Sequence, residues 1–416
     1  MKELWFHFPL LRNLKSQGNF AYLDNASTTQ KPDDVIAAVK EHYHFHTANI
    51  HRGFYPLAQK ASTKFEEARE IAADYFGVDK NGFIFTSGCT SSLNQIALGL
   101  EHHFTPDSHL VISEAEHHSN ILPWQRLAQR TGATLHWIPI LEDGQLDFES
   151  YQKTLSTYPV KLVALAAVSH VLGNINPITK FTALAKKYNA WTVIDAAQSS
   201  LRDRQCFSKY QADAVVFSGH KLFGPSGIGG ICATFQFLSQ MEPTFLGGGM
   251  LGKDSPWLFE GGTPPIEQAV ALGRALQFAE ALAPDYFRQE EVLIYKFAKF
   301  LSSFPEVDLF GWARSNNSLV PHSSLLSFSV KNLHCHDLAD LLGDNGVAVR
   351  AGLHCAHPLH HKLQSAGTVR VSLAPYNTIE DFEVFARAFE RVLRFRKNLG
   401  GGIYESGART NSESLG

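Results

Sequence analysis

Two side chains set the chemistry open to this chain. Lys221 follows the apolar run Ala214-Val215-Val216-Phe217 and sits in the turn Ser218-Gly219-His220-Lys221-Leu222-Phe223-Gly224-Pro225. Twenty-six residues earlier (221 − 195), a second apolar run, Thr192-Val193-Ile194, ends in Asp195. A surface lysine needs neither a β-run to deliver it into a loop nor Ser218 and His220 beside it as hydrogen-bond donors. A carboxylate at one strand end and a lysine at another suit a pyridoxal phosphate (PLP) enzyme. The lysine forms a Schiff base there, and the carboxylate pairs with the pyridinium nitrogen.

Other reactive residue types also gather after strand-like runs. Phe83-Ile84-Phe85-Thr86 leads into Ser87-Gly88-Cys89-Thr90-Ser91-Ser92 and then a helix through Leu93–Ala97. Unpaired N–H groups and the helix dipole favour an anion at such a start, although an ordinary N-cap reads the same way. Leu110-Val111-Ile112 leads to Glu116-His117-His118-Ser119-Asn120, where a histidine could stack on a planar cofactor or simply face solvent. Lys161–Val168 leads to Ser169-His170-Val171-Leu172-Gly173-Asn174, and Asp195 is followed by Ala196-Ala197-Gln198. Near the C-terminus, Val349-Arg350-Ala351-Gly352-Leu353-His354-Cys355-Ala356-His357-Pro358 carries a cysteine among Gly, His and Pro. A buried, inert cysteine is the common alternative, but Arg350 and His354 make electropositive surroundings that favour thiolate. Fifteen residues on (370 − 355), Arg370 lies in the short strand Thr368–Ser372. Arginine suits bidentate binding of a carboxylate as well as a surface ion pair. Together, PLP, a nucleophilic thiol and a carboxylate clamp describe sulfur abstraction from an amino acid.

The elements that must position these residues follow from periodicity. Helical patterns run over Asp33–Phe45, behind Pro32, and over Leu57–Phe76, which Gly77 closes. Strands then alternate with helices up to Ile228–Ala233, which predicts an α/β fold with a mostly parallel mixed sheet covered on both faces. Ligands collect at the carboxyl ends of such strands. Gly-rich loops at Leu246–Met250 and Glu260–Pro265 end the alternation, a helix runs from Ile266 to about Leu282, and Ala283-Pro284-Asp285 breaks it. The expected organisation is an N-terminal segment (1–20) packing on the small domain, and a large PLP-binding domain (21–284). A smaller α+β C-terminal domain with the cysteine loop (285–396) follows, then a disordered tail (397–416). Within the small domain, Leu325–Val330 and Val347–Arg350 read as strands, and 337–342 and 379–396 as helices.

Composition narrows the function classes. The 416 residues exceed one ordinary core, and 44% apolar with 19% charged residues is the balance of a soluble globular protein. A formal net charge of −3 argues against nucleic acid or an anionic membrane as the main partner. No apolar run reaches the ~20 residues that span a bilayer, and the first residues lack a signal-peptide pattern. Five cysteines without C-x-x-C spacing predict neither disulfides nor a cysteine zinc site, and point to the cytoplasm. His357 and His361, four apart, could ligate a metal, but a solvated helix face explains them, and no metal is expected.

On these motifs the chain, from about Tyr22 to Arg391, resembles the class V aminotransferase family of PLP fold-type I. Within it, the resemblance is to the group II cysteine desulfurases and selenocysteine lyases of the Suf/Csd type. Further segments that carry it are Asn49-Ile50-His51-Arg52-Gly53, Gly261-Gly262-Thr263-Pro264 and Pro375-Tyr376-Asn377-Thr378. The most specific are Ser218-Gly219-His220-Lys221 and Arg350-x-Gly352-x-His354-Cys355-Ala356. The resemblance implies Lys221 as Schiff-base lysine and proton shuttle, Asp195 on the pyridinium nitrogen, and His117 stacked on the ring. It implies Gln198 at the ring oxygen, and Thr90, Ser218 and His220, with Cys89 beside them, at the phosphate. Thr263 would reach in from the partner subunit of a homodimer. Arg370 would hold the substrate carboxylate, with Asn174, Ala26 and Arg350 nearby, and Cys355 would take sulfur from L-cysteine, or L-selenocysteine's selenium, as nucleophile. An acceptor of the SufE or SufU kind, serving iron–sulfur assembly, would receive the persulfide.

Four features depart from the family pattern. His170 stands where asparagine is usual and is expected to donate to the ring oxygen in its place. Cys89 replaces a hydroxyl residue, Leu353 a polar one, and the segment from Gly249 to Pro256 is short where a longer hairpin would cross to the partner. A different class V lyase or epimerase is the alternative, and Cys355 is the residue that argues against it.

Overall fold

Alternation of apolar residues along short β-rich runs builds the central sheet. In Ala214–Ser218, Ala214 and Val216 join one hydrophobic cluster, while Val215 and Phe217 join another; Val193 and Ile194 divide likewise. Both faces are covered, as parallel strands require. The computed structural model describes residues 3–250, 252–312 and 322–398. Its seven-stranded sheet runs Phe83–Thr86, Gly229–Ala233, Ala214–Ser218, Trp191–Asp195, Val160–Ala166, His109–Ser113, Thr134–Ile138. Gly229–Ala233 runs against both neighbours, and the other pairings are parallel. This is the α/β, mostly parallel mixed sheet expected, and it brings Thr86, Ser113, Ala166, Asp195 and Ser218 to one rim. Helix Pro56–Phe76 buries Phe65, Ala68, Ala72 and Tyr75 and ends at Gly77, whose φ of 76° a glycine adopts freely. Gly273 of helix Ile266–Glu280 lies against Ala68, where an added Cβ would come within 3.2 Å.

The C-terminal part has its own antiparallel sheet, ordered Arg350–Gly352, Thr368–Ser372, Leu325–Val330, Val307–Phe310. Helices Pro284–Ser302, Cys335–Asp344 and Ile379–Asn398 contribute Phe297, Leu338, Phe385 and Phe389 to a separate core. The single strand read at Val347–Arg350 is two strands. Val347–Ala348 pairs in parallel with Ala21–Tyr22, and Arg350–Gly352 pairs with Thr368–Ser372. Each half has a different neighbour, and periodicity along the run cannot show that. The N-terminal segment touches both parts: Phe8 is fully buried, its ring 5.5 Å from Phe223, 5.7 Å from Phe278 and 4.5 Å from Tyr376. The tail read as disordered lies, from 399 on, outside the described residues. Among the described residues no helix is long and apolar enough to cross a membrane.

Candidate active site

Strand Ala214–Ser218 ends at the rim, and Gly219–Lys221 makes one 3-10 turn. The Gly219 carbonyl accepts from the N–H groups of Leu222 (2.9 Å) and Gly224 (3.0 Å). Thr29 clamps the turn from outside: its N–H donates to His220 O at 3.0 Å, and its Oγ1 accepts from Phe223 N–H at 2.9 Å. Lys221 thereby lines a cavity of about 310 Å³. Asp195, Cys89, Thr90, His117, His170, Gln198, Ser218, His220, Ala26, Arg350, Cys355 and Arg370 line it too. Residues from two sheets meet here, and all but two of the site residues read from the sequence are among them.

One side of the cavity has the donors a phosphorylated pyridine needs. Helix Cys89–Gly99 points its N-terminus at the rim, and Gly88, with φ 139°, lets Ser218 approach; an added Cβ would stand 3.3 Å from Ser218 Oγ. Ser218 Oγ accepts from Cys89 N–H at 2.9 Å. Ser119 bonds both Thr90 Oγ1 (2.8 Å) and His117 Nδ1 (2.8 Å), and its N–H donates to that Nδ1 at 3.0 Å. This network assigns the His117 proton to Nε2. Burial, reinforced by Lys221, lowers the His117 pKa to about 3, so the ring is neutral. Asp195 Oδ1 accepts from Ala197 N–H at 2.8 Å, and the Cys89 thiol donates to Asp195. Burial and the neighbouring carboxylate hold Cys89 well above the usual thiol range, as a neutral S–H. Burial also lowers the Lys221 pKa, against the opposing pull of Asp195. An anion-binding helix start ringed by hydroxyls, a carboxylate for a ring N–H, a flat neutral imidazole and an amine of lowered pKa fit PLP.

The facing side comes from the C-terminal sheet. Arg350 and Arg370 are register partners on adjacent antiparallel strands, so their side chains leave the same face. Like charges directly opposite are unfavourable, and an anion between them would relieve the repulsion. Ser27 Oγ accepts from Arg350 Nη1 (3.1 Å) and Arg370 Nη2 (3.0 Å) and donates to Asp24 Oδ1 (2.7 Å). Arg370 Nη1 donates to the His170 carbonyl at 2.9 Å, and its buried Nε has no partner among the described residues. Burial lowers the Arg370 pKa to about 10, partly offset by Asp24. Cys355 Sγ lies 3.8 Å from Arg350 Nη2, a cation at hydrogen-bonding range of the sulfur.

Two readings change at this level. His170 is not free to donate to a ring oxygen: its Nε2–H is committed to the His354 carbonyl at 2.9 Å, and burial keeps the ring neutral, with no second proton. Asn174 lines no part of the cavity; its Nδ2 donates to Asp143 O at 2.9 Å, and its backbone bridges to His322. Gln198 lines the cavity as read, with one of its two Nε2 hydrogens donated to Ala26 O at 2.9 Å. Thr263 is exposed and lies outside the cavity of this chain. Ser27, Asp24 and Ser119 went unread, although the small-residue loop Asp24–Thr29 and the run Glu116–Asn120 were both visible.

A fold and site of this kind define a PLP-dependent class, and the aminotransferase class V family model matches residues 21–385. The chain belongs to that family. A probable cysteine desulfurase of Halalkalibacterium halodurans is 36% identical over 400 residues, covering 93% of this chain and 97% of that protein. A cysteine desulfurase of Haloferax volcanii is 34% identical over 383 residues, covering 89% and 88%. The apo cysteine desulfurase of Thermococcus onnurineus NA1 matches in structure with a TM-score of 0.89 at 35% identity, covering 95% of this chain and 99% of that one. The Escherichia coli cysteine desulfurase CsdA gives 0.85 at 29% identity, with 94% and 97% covered.

Proposed function

We propose that this chain is a PLP-dependent cysteine desulfurase, converting L-cysteine to L-alanine with the sulfur held as a persulfide on Cys355. The observation that carries this is the meeting of Lys221, the Arg350–Arg370 pair and Cys355 on one cavity. Bound there, PLP supplies an electron sink for negative charge at the substrate Cα. Asp195 would hold the ring nitrogen, His117 would lie against the ring, and Thr90, Ser218 and His220 would hold the phosphate. Arg370, with its unpartnered Nε, would orient the substrate carboxylate beside Arg350. Lys221, its pKa lowered by burial, takes the α-proton. Cys355 Sγ then attacks the substrate Sγ: an S–S bond forms, the substrate Cβ–S bond breaks, and the electron pair and a proton end on Cβ as the methyl of alanine.

The pattern of free cysteines supports a cytoplasmic setting. Exposed Thr263 fits a homodimer in which it serves the partner's cavity, and a SufE- or SufU-like acceptor feeding iron–sulfur assembly fits a thiol on a partly exposed loop. The test is alanine and sulfide release from L-cysteine by the PLP-loaded protein under reducing conditions. Native protein forms both, and Cys355→Ala forms neither above background; full release by that variant would end the assignment.

A further inference from the structure

The loop that carries Cys355 is strained, and both of its strained carbonyls are held from the other domain. His354 and Cys355 have φ of 49° and 57°, two positions after Gly352 at 112°. Non-glycine residues stay in that region only where the surroundings over-determine it. The Cys355 carbonyl accepts from His118 N–H at 2.8 Å, and the His354 carbonyl accepts from His170 Nε2 at 2.9 Å. The first anchor is backbone. The second is a side chain, 5% exposed, at the end of a loop of the large sheet. The same residue's carbonyl receives Arg370 Nη1. His170 is thus bonded at once to the thiol loop and to the arginine pair, and its ring lies edge-on to His117, centroids 4.9 Å apart.

We infer that His170 is a positioning residue that clamps the Cys355 loop in its left-handed conformation over the cavity, through its Nε2–H to the His354 carbonyl. Removing that donor leaves a buried carbonyl unpaired in a strained turn, so the loop opens more often. The proposal deepens the desulfurase reading, since it says how the nucleophile is held, but its test does not depend on that activity.

Side-chain length provides the test. A glutamine amide nitrogen stands where Nε2 of histidine does, whereas an asparagine amide falls short, at the place of Nδ1. In PLP-loaded protein, the iodoacetamide alkylation rate of Cys355 is read by mass spectrometry of its peptide. Cys206 and Cys232, fully buried and outside the cavity lining, are the internal reference for global opening. His170→Asn raises the Cys355 rate about ten-fold, the cost of one lost anchor, while the reference cysteines stay protected. His170→Gln returns the rate to within about two-fold of native. Equal rates at Cys355 in native, Asn and Gln proteins overturn the clamp, as does an Asn effect that Gln fails to rescue. If native protein forms no alanine from cysteine, the desulfurase reading falls, while the alkylation comparison still decides His170.

Discussion

Lys221 and Cys355 face one cavity, but their mounts differ. The lysine turn grows from a strand in the middle of a seven-stranded sheet, with Ser218 and Gly219 buried and Thr29 bonded on both sides of it. The thiol loop hangs from Arg350–Gly352, an edge strand of the smaller sheet, and turns through left-handed residues. Its carbonyls are satisfied by His118 and His170, from loops of the seven-stranded sheet. A group that anchors a cofactor gains from the stiffest support the fold offers. On the proposed desulfurase reading, the thiol must take up sulfur and release it again, and it gains from a support that can open. That reading divides the two tasks between two sheets.

The largest expected effect comes at the stiff mount. Lys221→Ala lowers alanine formation by about 10³-fold or more, because it removes both the cofactor linkage and the base. It also removes the visible absorbance of the PLP-bound protein. Cys355→Ala, by contrast, keeps that absorbance while sulfur transfer is lost; a variant that lost both would mean the two mounts are not separable. Arg370→Lys, between the two, is expected to raise KM for cysteine by about 10²-fold with a smaller change in kcat. A lysine cannot reproduce the bonds to His170, Ser27 and a carboxylate together. A larger fall in kcat than rise in KM would show that the guanidinium positions the thiol loop rather than the substrate.

The smallest effect is in pH-dependent stability. Burial lowers the pKa of His117 to about 3, of His220 to about 4 and of His354 to about 2, and that of His170 well below the ordinary 6.5. Between these values and 6.5 the unfolded chain binds protons that the folded chain does not. The stability these neutral rings allow is therefore present above about pH 6.5 and lost as pH falls toward 3. At about pH 5.5 His117 and His354 each contribute on the order of 1 kcal/mol of loss. Tm measured by calorimetry should fall steadily on going from about pH 7.5 to 5.5, and less in His117→Phe. A flat profile would show that these rings take up protons in the fold as readily as in the unfolded chain.

What could be read from the sequence was local. The Lys221 turn, the Gly88–Thr90 helix start and Asp195 are each a strand end with its next few residues, and the period of the strand itself says where such an end falls. Parallel strands then place those ends on one rim without further information. This is why the sheet and the strand-end residues that line the cavity were legible in one chain.

Tertiary structure decided how the other half works. His170 and Asn174 stand in the same loop, four residues apart, yet one lines the cavity and the other turns to Asp143. Ser27 bridges two arginines more than 320 positions away along the chain (350 − 27 = 323). The register that sets Arg350 against Arg370 depends on which strands pair, and the split at Val349 that allows it leaves no periodic trace. Spacing along a chain reports neighbours on one strand or helix face. Hydrogen bonds between loops of two sheets depend on how those sheets pack together, and only the folded chain carries that.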